Sequence, residues 1–587
     1  MKKWLLRRNK ADIGKMAESL HISPVIANIL ANRGIGTYES AVKYLSCDED
    51  MMYDGYLFKD MDKAVDLIMK AVDAGDKIAV YGDYDVDGVM SSVILYKTLK
   101  HFGADVMYYV PHRQKEGYGM NISSIGELKN AGVKVIFACD NGIAAVEEAK
   151  AAENSGMTLI ILDHHEPPVE FDGEEEKEIL PRAAAVVDHK RKDCPYPFKA
   201  LCAGGMAFKF AKLFFEACGE PFILKDELLG FAAMATICDI VDLLDENRIM
   251  AKNGLKCINE SKNPGLCALI DKAGIEKGAV TEYHVGFILG PCVNATGRLE
   301  SAGESVELFI TEDMRQAEKL AQRLVELNSE RKVLTARAAQ RAVDIIENTE
   351  IGKDNVIVIY DEEIHESIAG IVAGRIKEKY YKPTVVITKG EDMAKGSARS
   401  IEGYNMFLEL SKNKELFCRF GGHPMAAGLS LKKENIDILR RRLNLEFSLT
   451  KEDMIPSIHI EKALEFSEIN LKLADELAEL APFGKANPSP VFGTKNVFAE
   501  KIRLVGKEKN IMQISFRDLK TGISIKGISF GGLEDFEKQC AEIYGREKTA
   551  RVLEGLDGVK ADIIYSIGVN TYLGRSSVQL NISDFRL

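Results

Sequence analysis

The stretch KIAVYGDYDVDG, residues 77–88, is a short apolar run that ends in a turn rich in glycine and aspartate. It is followed at 89–104 by VMSSVILYKTLKHFGA, whose pattern is typical of a helix. A short buried strand, a turn and a helix form the opening of a βαβ unit, in which consecutive strands run parallel. The stretch therefore predicts an α/β fold with a mostly parallel, doubly wound sheet.

The same alternation of strand and helix recurs further along the chain. Apolar runs that end in polar turns are DVMYYVPH at 105–112, VKVIFACDNG at 133–142, MTLIILDHHE at 157–166 and AAAVVDHK at 183–190. Continuous apolar runs of this length are typical of strands that are buried on both faces of a sheet. We therefore predict a first α/β lobe at 76–310.

The remaining segments predict four further parts. Residues 1–75 show helical spacing and are expected to pack on the first lobe. A helical pattern at 311–349 predicts a helix of roughly 55 Å, at 1.5 Å per residue, that connects two lobes. A second α/β pattern occupies 350–450, and short strands separated by turns at 452–587 predict a small β-barrel.

Composition excludes several classes of protein. The chain has 587 residues, 46% of them hydrophobic and 28% charged, which argues against a disordered or fibrous protein. Its eleven cysteines include no CxxC pair, and the sequence shows no long apolar run, so we expect a reduced, cytoplasmic protein without a membrane segment. A net charge of −12 argues against a uniformly basic surface but allows a local basic groove or an acidic metal-binding cluster.

Acidic residues stand at the ends of the predicted strands, where open parallel sheets bind their ligands. In chain order they are Asp83, Asp85 and Asp87, then Asp140, then Asp163 with His164 and His165. Asp239 is a further candidate, in a segment at 227–240 that is predicted to be a buried helix or a helix-to-loop passage. Three carboxylates within two turns of backbone repel one another, and a bound divalent cation offsets that repulsion. Carboxylates with one or two imidazoles favour Mn²⁺ or Mg²⁺ over zinc, since no thiolate is placed to bind.

This set of ligands is large enough for two divalent ions. Two ions about 3.5–4 Å apart are a known arrangement for the hydrolysis of phosphate esters. The residues alone therefore indicate phosphoester or phosphoanhydride hydrolysis and leave both open.

Several motifs resemble those of a known family. GDYDVDG at 82–88, ACDNG at 138–142, DHH at 163–165 and CDIVDLLDENR at 238–248 resemble the motifs of the DHH phosphoesterases. NATGRL at 294–299, GSARS at 396–400, FGGHPMAAG at 420–428, PFGKANPSPVF at 482–492 and GRSSVQLNISD at 574–584 extend the resemblance to the RecJ family of single-stranded-DNA-specific exonucleases. This resemblance implies a DHH lobe, a DHHA1-type lobe and a C-terminal OB-like barrel.

The resemblance also implies roles for individual residues. The implied metal ligands are Asp85, Asp87, Asp140, His164 and Asp239, with Asp83 as a further ligand. Asp140 would bridge two Mn²⁺ or Mg²⁺ ions, Asp163 would orient its neighbours, and His165 would face the phosphate. The implied phosphate contacts are Arg298, Arg375, Ser397, Arg399 and His423.

The family further implies an activity and partners. It implies a monomeric exonuclease that degrades single-stranded DNA from the 5′ end in DNA repair and recombination. Its partners would be a single-strand-binding protein and a RecQ-like helicase.

Two departures from the family pattern keep other functions open. Tyr81 stands where many DHH enzymes have a metal-proximal histidine, and IHES at 364–367 replaces a Trp-His-Pro-Gly-like segment. The chain could therefore be a diverged DHH phosphodiesterase that acts on short oligonucleotides or cyclic dinucleotides. A nucleic-acid-binding scaffold without turnover is the third alternative, although the intact acidic set and both histidines weigh against it.

Overall fold

The structure is a computed structural model that describes residues 2–113, 116–117, 119–172, 175–507, 509–572 and 574–587, without the side chains at 171, 172, 175, 176 and 572. Its internal contacts divide the chain into two units. The larger includes Tyr53–Val241 and Asn253–Pro456, and the other comprises Lys3–Met52, Asp242–Lys252 and Ser457–Leu587.

The N-terminal residues begin with a strand and continue as helices. These elements are β1 (Lys3–Leu6), α1 (Ile13–Leu20), α2 (Pro24–Asn32), α3 (Tyr38–Ser46) and α4 (Met61–Ala74). β1 pairs in parallel with residues 457–460, and apolar side chains of α2 and α3 join the core of the barrel. Residues 1–75 therefore do not form the one helical segment on the first lobe that the sequence predicts. The apolar faces of α2 and α3 are buried in the barrel's unit instead.

The first lobe contains a five-stranded parallel sheet. Its elements are β2 (Ile78–Tyr81), α5 (Val86–His101), β3 (Val106–Tyr109), α6 (Ile122–Asn130), β4 (Val135–Cys139), α7 (Val146–Asn154), β5 (Thr158–Leu162), the hairpin strands β6 (Val169–Asp172) and β7 (Glu175–Glu178), and β8 (Ala185–Val187). The strand order is β3-β2-β4-β5-β8, with all neighbours parallel. The order reverses between β2 and β4, and the carboxyl edge at such a reversal is where these sheets bind ligands.

Helices complete the first lobe and lead to the second. They are α8 (Ala203–Ala217), α9 (Lys225–Cys238), α10 (Asp245–Glu260), α11 (Pro264–Lys272), α12 (Glu282–His284), α13 (Gly290–Leu299), α14 (Gly303–Ile310) and α15 (Met314–Glu347). α15 has 34 residues and begins after Asp313, whose side chain accepts a hydrogen bond from the backbone N–H of Arg315. Its first half packs on α11 and α13, and its last turns join the core of the second lobe. It is the predicted connecting helix.

The second lobe is a smaller mixed sheet with helices. Its elements are β9 (Ile357–Tyr360), α16 (Ala369–Tyr380), β10 (Thr384–Lys389), β11 (Ala394–Arg399), α17 (Met406–Ser411), β12 (Phe417–His423), β13 (Ala426–Leu431) and α18 (Ile436–Leu445). The strand order is β12-β13-β11-β10-β9, and β9 and β10 are its parallel pair.

The C-terminal residues form the predicted barrel. Its elements are β14 (Ser457–Ile460), β15 (Lys462–Ala463), α19 (Leu471–Ala478), β16 (Phe492–Val505), β17 (Ile511–Asp518), β18 (Ser524–Ser529), α20 (Leu533–Tyr544), α21 (Arg546–Leu553), β19 (Val559–Tyr572) and β20 (Arg575–Arg586). Five strands close into a ring in the order β16-β17-β18-β20-β19, because β19 pairs back onto β16. The predicted fold class, two α/β lobes joined by a long helix and followed by an OB-like barrel, is confirmed. Across the described ranges, none of the helices combines the length and apolar character that crossing a bilayer requires.

Candidate active site

Carboxylates and imidazoles meet at the carboxyl edge of the parallel sheet. Among the described residues, three overlapping groups have ligand atoms within 4.8 Å of one another: Asp83, Asp85 and Asp140; Asp140, His164 and His165; and Asp87, His164 and Asp239. Asp140 and His164 each belong to two of these groups. The structure therefore brings the whole predicted acidic set into one continuous cluster.

Local backbone structure sets the direction of each carboxylate. Asp85 accepts a hydrogen bond from the backbone N–H of Gly88 at 3.1 Å and thereby caps α5. Asp140 follows β4 with a φ of 61°, a left-handed conformation that costs a non-glycine residue on the order of 1–3 kcal/mol. Such strain persists where surrounding contacts fix the backbone, and it is concentrated at functional sites.

His164 joins the two sides of the cluster. Its Nε2 lies 3.1 Å from Oδ1 of Asp140 and 3.5 Å from Oδ2 of Asp87. Its Nδ1 lies 4.0 Å from Oδ2 of Asp239. Burial lowers the pKa of His164 to about 4, so the imidazole is neutral near pH 7 and has a lone pair for a metal ion.

The buried carboxylates raise one another's pKa values. Burial, followed by the charges of Asp87 and Asp85, raises the pKa of Asp140 well above its ordinary value. The same causes, in the same order, raise the pKa of Asp239 to about 8. A buried oxygen of Asp83, Oδ1, has no hydrogen-bond partner among the described residues. An orphaned buried oxygen beside mutually repelling carboxylates and a neutral imidazole fits a site for Mn²⁺ or Mg²⁺.

Asp87 has a second contact besides the cluster. Its Oδ2 and Oδ1 accept hydrogen bonds from the backbone N–H groups of Ala203 and Gly204, at 2.8 and 2.7 Å. These groups lie at the N-terminal end of α8, where the helix dipole favours a negative charge. Each carboxylate oxygen can accept more than one bond, so Asp87 can hold α8 and a metal ion at once.

The pKa shifts predict how stability depends on pH and metal. An Asp239 pKa of about 8 in the folded chain, against about 3.9 when unfolded, means that its contribution to stability is complete below pH 4 and is lost as the pH rises through 8. We therefore expect the melting temperature of metal-free protein to fall over this range, and Mn²⁺ to raise it more at about pH 8 than at about pH 6. Differential scanning fluorimetry with and without Mn²⁺ measures this. A stabilisation that does not change with pH would contradict it.

Asp163 organises the turn that bears both histidines. Its Oδ1 accepts hydrogen bonds from the backbone N–H of His164 at 2.7 Å and from Nδ1 of His165 at 2.7 Å, and Oδ2 accepts one from the backbone N–H of Ile143 at 2.9 Å. Burial disfavours charge on both partners, but their hydrogen bond outweighs it. The pKa of Asp163 therefore stays well below its ordinary value, and that of His165 rises to about 9. His165 is thus a protonated imidazolium near neutral pH, held by Nδ1.

A cationic cavity lies in the same unit, between the two lobes. It has a volume of about 310 Å³, and its polar lining includes Tyr84, Arg113, Arg298, Lys395, Ser397 and Arg399. Tyr84 stands between Asp83 and Asp85 in the chain, so the cavity begins beside the carboxylate cluster. The carbon of the Arg113 guanidinium lies 5.0 Å from the centre of the Tyr84 ring.

The arginines of this cavity are held by the second lobe. Arg298 donates from Nη1 to the backbone oxygen of Ser367 at 2.7 Å. Arg399 donates from Nη1 to Oγ of Ser397 at 3.2 Å and to the backbone oxygen of Ala398 at 2.8 Å. Burial and then the charge of Arg113 lower the pKa of Arg298 to about 10. Crowded, partly buried guanidinium groups are stabilised by an anion, and their planar forks suit a phosphate.

Two of the predicted phosphate contacts lie elsewhere. Arg375 is exposed on α16, and His423 is exposed at the end of β12; neither lines the cavity. Arg113, in contrast, lines the cavity but is not among the residues predicted from the sequence. This residue follows β3, whose carboxyl end lies at the same edge of the sheet as the acidic turns. The strand-end rule that selected the aspartates could therefore have found it.

The two departures from the family pattern have structural counterparts. The hydroxyl of Tyr81 lies 3.3 Å from the backbone oxygen of Gly119 and 3.1 Å from Oγ of Ser124, and its ring packs in the apolar core. Tyr81 is therefore a core residue. In the segment 364–367, Nδ1 of His365 lies 2.7 Å from Oγ of Ser367, whose backbone oxygen holds Arg298. The altered segment thus helps to position Arg298 in the cavity.

Comparison with known families defines the class of protein first. The DHH family, N-terminal domain, matches residues 77–236, the DHHA1 domain matches 353–448, and the RecJ OB domain matches 460–584. Together with the carboxylate cluster, these matches make the chain a DHH-type phosphoesterase, a hydrolase of phosphodiester bonds.

Relatives that match almost the whole chain then identify the family to which it belongs. The single-stranded-DNA-specific exonuclease RecJ of Bacillus subtilis is 36% identical over 588 residues, which cover 99% of this chain and 70% of that protein. RecJ of Haemophilus influenzae is 30% identical over 601 residues, covering 99% of this chain and 98% of its own. The chain belongs to the RecJ family, and the resemblance seen in the sequence is confirmed.

Solved structures of RecJ are also similar to the chain. The crystal structure of RecJ in complex with Mn²⁺ from Thermus thermophilus superimposes with a TM-score of 0.80 at 24% identity, covering 100% of this chain and 79% of that one. A structure of exonuclease RecJ bound to manganese has a TM-score of 0.56 at 29% identity, covering 66% of this chain and 94% of that one.

Proposed function

We propose that this chain is a metal-dependent exonuclease that degrades single-stranded DNA from its 5′ end. The observation that carries the proposal is the cationic cavity that begins at Tyr84, beside the carboxylate cluster. This half-enclosed cavity of about 310 Å³, lined by Arg298 and Arg399, has the size and the charge to hold a terminal phosphate. A terminus held there would place the adjacent phosphodiester at the cluster. The choice of the 5′ terminus rests on the RecJ family.

The cluster offers ligands for two divalent ions. We propose that Asp83, Asp85 and Asp140 hold one, and that Asp87, His164 and Asp239 hold the other, with Asp140 shared. Bound Mn²⁺ or Mg²⁺ would supply activation of water and stabilisation of charge on the scissile phosphate. Their use is supported by the RecJ structures bound to manganese.

The protein's own groups position the substrate around this centre. Arg298 and Arg399 would bind the terminal phosphate as charge-assisted donors, and Ser397 would add a hydroxyl. His165, fixed through Nδ1 by Asp163, would donate a hydrogen bond or a proton from its other ring nitrogen to the reacting phosphate. We propose these as the catalytic and binding roles of the predicted site.

The remaining parts of the proposal rest on the family. We assign catalysis to 76–310, substrate contacts to 350–450 and strand binding to the barrel at 452–587, since OB folds commonly bind single strands. We also propose a cytoplasmic monomer that acts in DNA repair and recombination with a single-strand-binding protein and a RecQ-like helicase.

The central test is digestion of end-labelled DNA with Mn²⁺ or Mg²⁺. We expect single strands to be degraded from the 5′ end and blunt duplexes to resist. Release of label from the 3′ end first would contradict the polarity. Hydrolysis of dinucleotides without degradation of strands tens of nucleotides long would favour the small-substrate phosphodiesterase instead.

The terminal-phosphate pocket makes a separate prediction. Arg399→Gln is expected to lower kcat/KM on a 5′-phosphorylated strand by a factor of about 10–100, since a hydrogen bond to a charged group contributes about 1.5–3 kcal/mol. The same change should scarcely affect a 5′-hydroxyl strand. Arg375→Gln is the matched control, because that arginine is exposed outside the cavity. Equal losses on the two strands would exclude a terminal-phosphate role.

A further inference from the structure

A pair of exposed aromatic side chains precedes Arg298 in the chain. Tyr283 is 60% and Phe287 is 68% exposed, and their rings stack with centroids 5.1 Å apart and planes at 23°. Large apolar side chains clustered on a surface mark sites of interaction. Tyr283 and Phe287 have no part in the metal-binding and phosphate-binding roles proposed above.

The pair stands on the same helical segment as the phosphate-binding Arg298. α12, a π-helical turn at Val285–Leu289 and α13 follow one another without a break. Phe287, Pro291, Asn294 and Arg298 are spaced by four, three and four residues, so they share one face of this segment, and all four are at least partly exposed. At 1.5 Å per residue, about 16 Å of helix separates Phe287 from Arg298.

This segment borders the carboxylate cluster. Two glycines permit the contact: a Cβ on Gly290 would lie 2.4 Å from Sγ of Cys238, and a Cβ on Gly297 would lie 2.7 Å from the backbone oxygen of Tyr84. Cys238 precedes the ligand Asp239, and Tyr84 lies next to the ligand Asp85. The segment therefore passes the cluster from the Asp85 side to the Asp239 side, with Arg298 beyond one end and the aromatic pair beyond the other.

We propose that Tyr283 and Phe287 form a stacking platform for nucleobases of the single strand on the 3′ side of the scissile phosphate. This inference rests on the proposed function. A strand whose 5′ phosphate lies at Arg298 and whose first linkage lies at the cluster continues toward the Asp239 side, where the two rings are exposed. Stacking on aromatic rings tolerates every base, as an enzyme that advances along a strand requires.

The size of the patch favours bases over a protein partner. A specific protein interface buries about 1,200–2,000 Å², whereas two aromatic side chains offer about 150–250 Å² each. Two rings match the dimensions of one or two bases.

The test is a double variant, Tyr283→Ala with Phe287→Ala, assayed on two lengths of substrate. We expect KM for a 5′-phosphorylated strand of about 16 nucleotides to rise by a factor of about 10–100, because each stacked base contributes about 1–3 kcal/mol. Turnover of a 5′-phosphorylated dinucleotide and binding of Mn²⁺ should not change. Tyr283→Phe with Phe287→Trp should retain the KM of the unmodified protein.

Tyr56→Ala is the matched control, since this tyrosine is also exposed in the same unit, at 43%. An unchanged KM on the long strand, or an equal loss on the dinucleotide, would overturn the platform. A change in oligomeric state with unchanged KM would assign the pair to self-association and overturn it as well. If the unmodified protein does not degrade single strands, the proposed function is wrong as well. If the unmodified protein and the double variant degrade them equally well, only the stacking platform is wrong.

Discussion

Asp140→Ala is expected to lower Mn²⁺-dependent hydrolysis of single-stranded DNA by a factor of about 10³ or more and to leave strand binding largely intact. Asp140 belongs to the group of Asp83 and Asp85, and its Oδ1 lies 3.1 Å from Nε2 of His164, which belongs to the group of Asp87 and Asp239. Asp140 is therefore placed between the two proposed ions, and its loss would weaken the binding of both. Metal ions contribute several kcal/mol of charge stabilisation in the transition state, and each 1.36 kcal/mol is a factor of ten in rate. The arginine-lined cavity, the proposed site of the terminal phosphate, does not include Asp140 and should keep its affinity for the strand.

Three measurements separate the effects of this substitution. Single-turnover hydrolysis gives the rate, fluorescence anisotropy gives the affinity for a labelled strand, and calorimetric titration gives the number of Mn²⁺ ions bound. We expect two ions per unmodified chain and fewer in the variant. Unchanged turnover would refute the assignment of Asp140, and a single ion in the unmodified chain would refute the two-ion centre.

Asp188→Asn is a suitable control for Asp140→Ala. Asp188 is also buried, at the end of strand β8 of the same sheet, but it belongs to none of the described ligand groups. Burial, followed by the charge of Asp163, raises the pKa of Asp188 to about 8, so it is mostly protonated near pH 7. The neutral amide of asparagine has the same shape as this protonated carboxyl, and activity should persist.

The acidic cluster could be predicted from the sequence because its geometry is local. Most of its aspartates stand at or just after the end of a strand, and parallel strands bring their carboxyl ends to one edge regardless of the rest of the chain. Asp239 is the exception, since it follows the helix α9. The short strands of the barrel likewise follow from short-range patterns. Asp163 was correctly placed beside His165 because the two residues are near neighbours in the chain.

The cavity could not be predicted in the same way because it depends on how the lobes meet. Arg298 comes from the first lobe and is held by the backbone of Ser367 in the second, a contact across 69 residues. Motif similarity alone could not separate Arg399, which lines the cavity, from Arg375, which points to solvent on α16. The packing of α2 and α3 with the barrel is also a long-range contact that helical spacing does not encode.

His165→Ala is expected to lower the rate by a factor of about 10²–10³, within the range of general acid–base catalysis, with little change in Mn²⁺ stoichiometry. The reason is geometric. Asp163 fixes the imidazole through Nδ1, which leaves the other ring nitrogen to donate to the reacting phosphate. His101→Gln serves as the control, because His101 contacts Glu220 at the end of α5, away from the carboxylate cluster. A loss of bound metal in His165→Ala, with the rate restored by excess Mn²⁺, would show that His165 is a ligand instead.

Asp163→Asn tests the same role through its dependence on pH. Burial lowers the pKa of His165, and the hydrogen bond from His165 to Asp163, with the charge of that carboxylate, raises it to about 9. Without the negative charge of Asp163, the largest effects that oppose burial are lost and only the smaller effects of Asp239 and Asp87 still raise the pKa of His165, so this pKa falls. If the protonated imidazole is needed, the alkaline limb of the rate profile will move from near pH 9 toward lower pH, and the loss in rate, about 10–100-fold for a carboxylate that orients a site residue, will be greatest at high pH. A uniform loss at every pH would mean that Asp163 only shapes the turn, because a purely structural contact does not depend on which form of His165 is present.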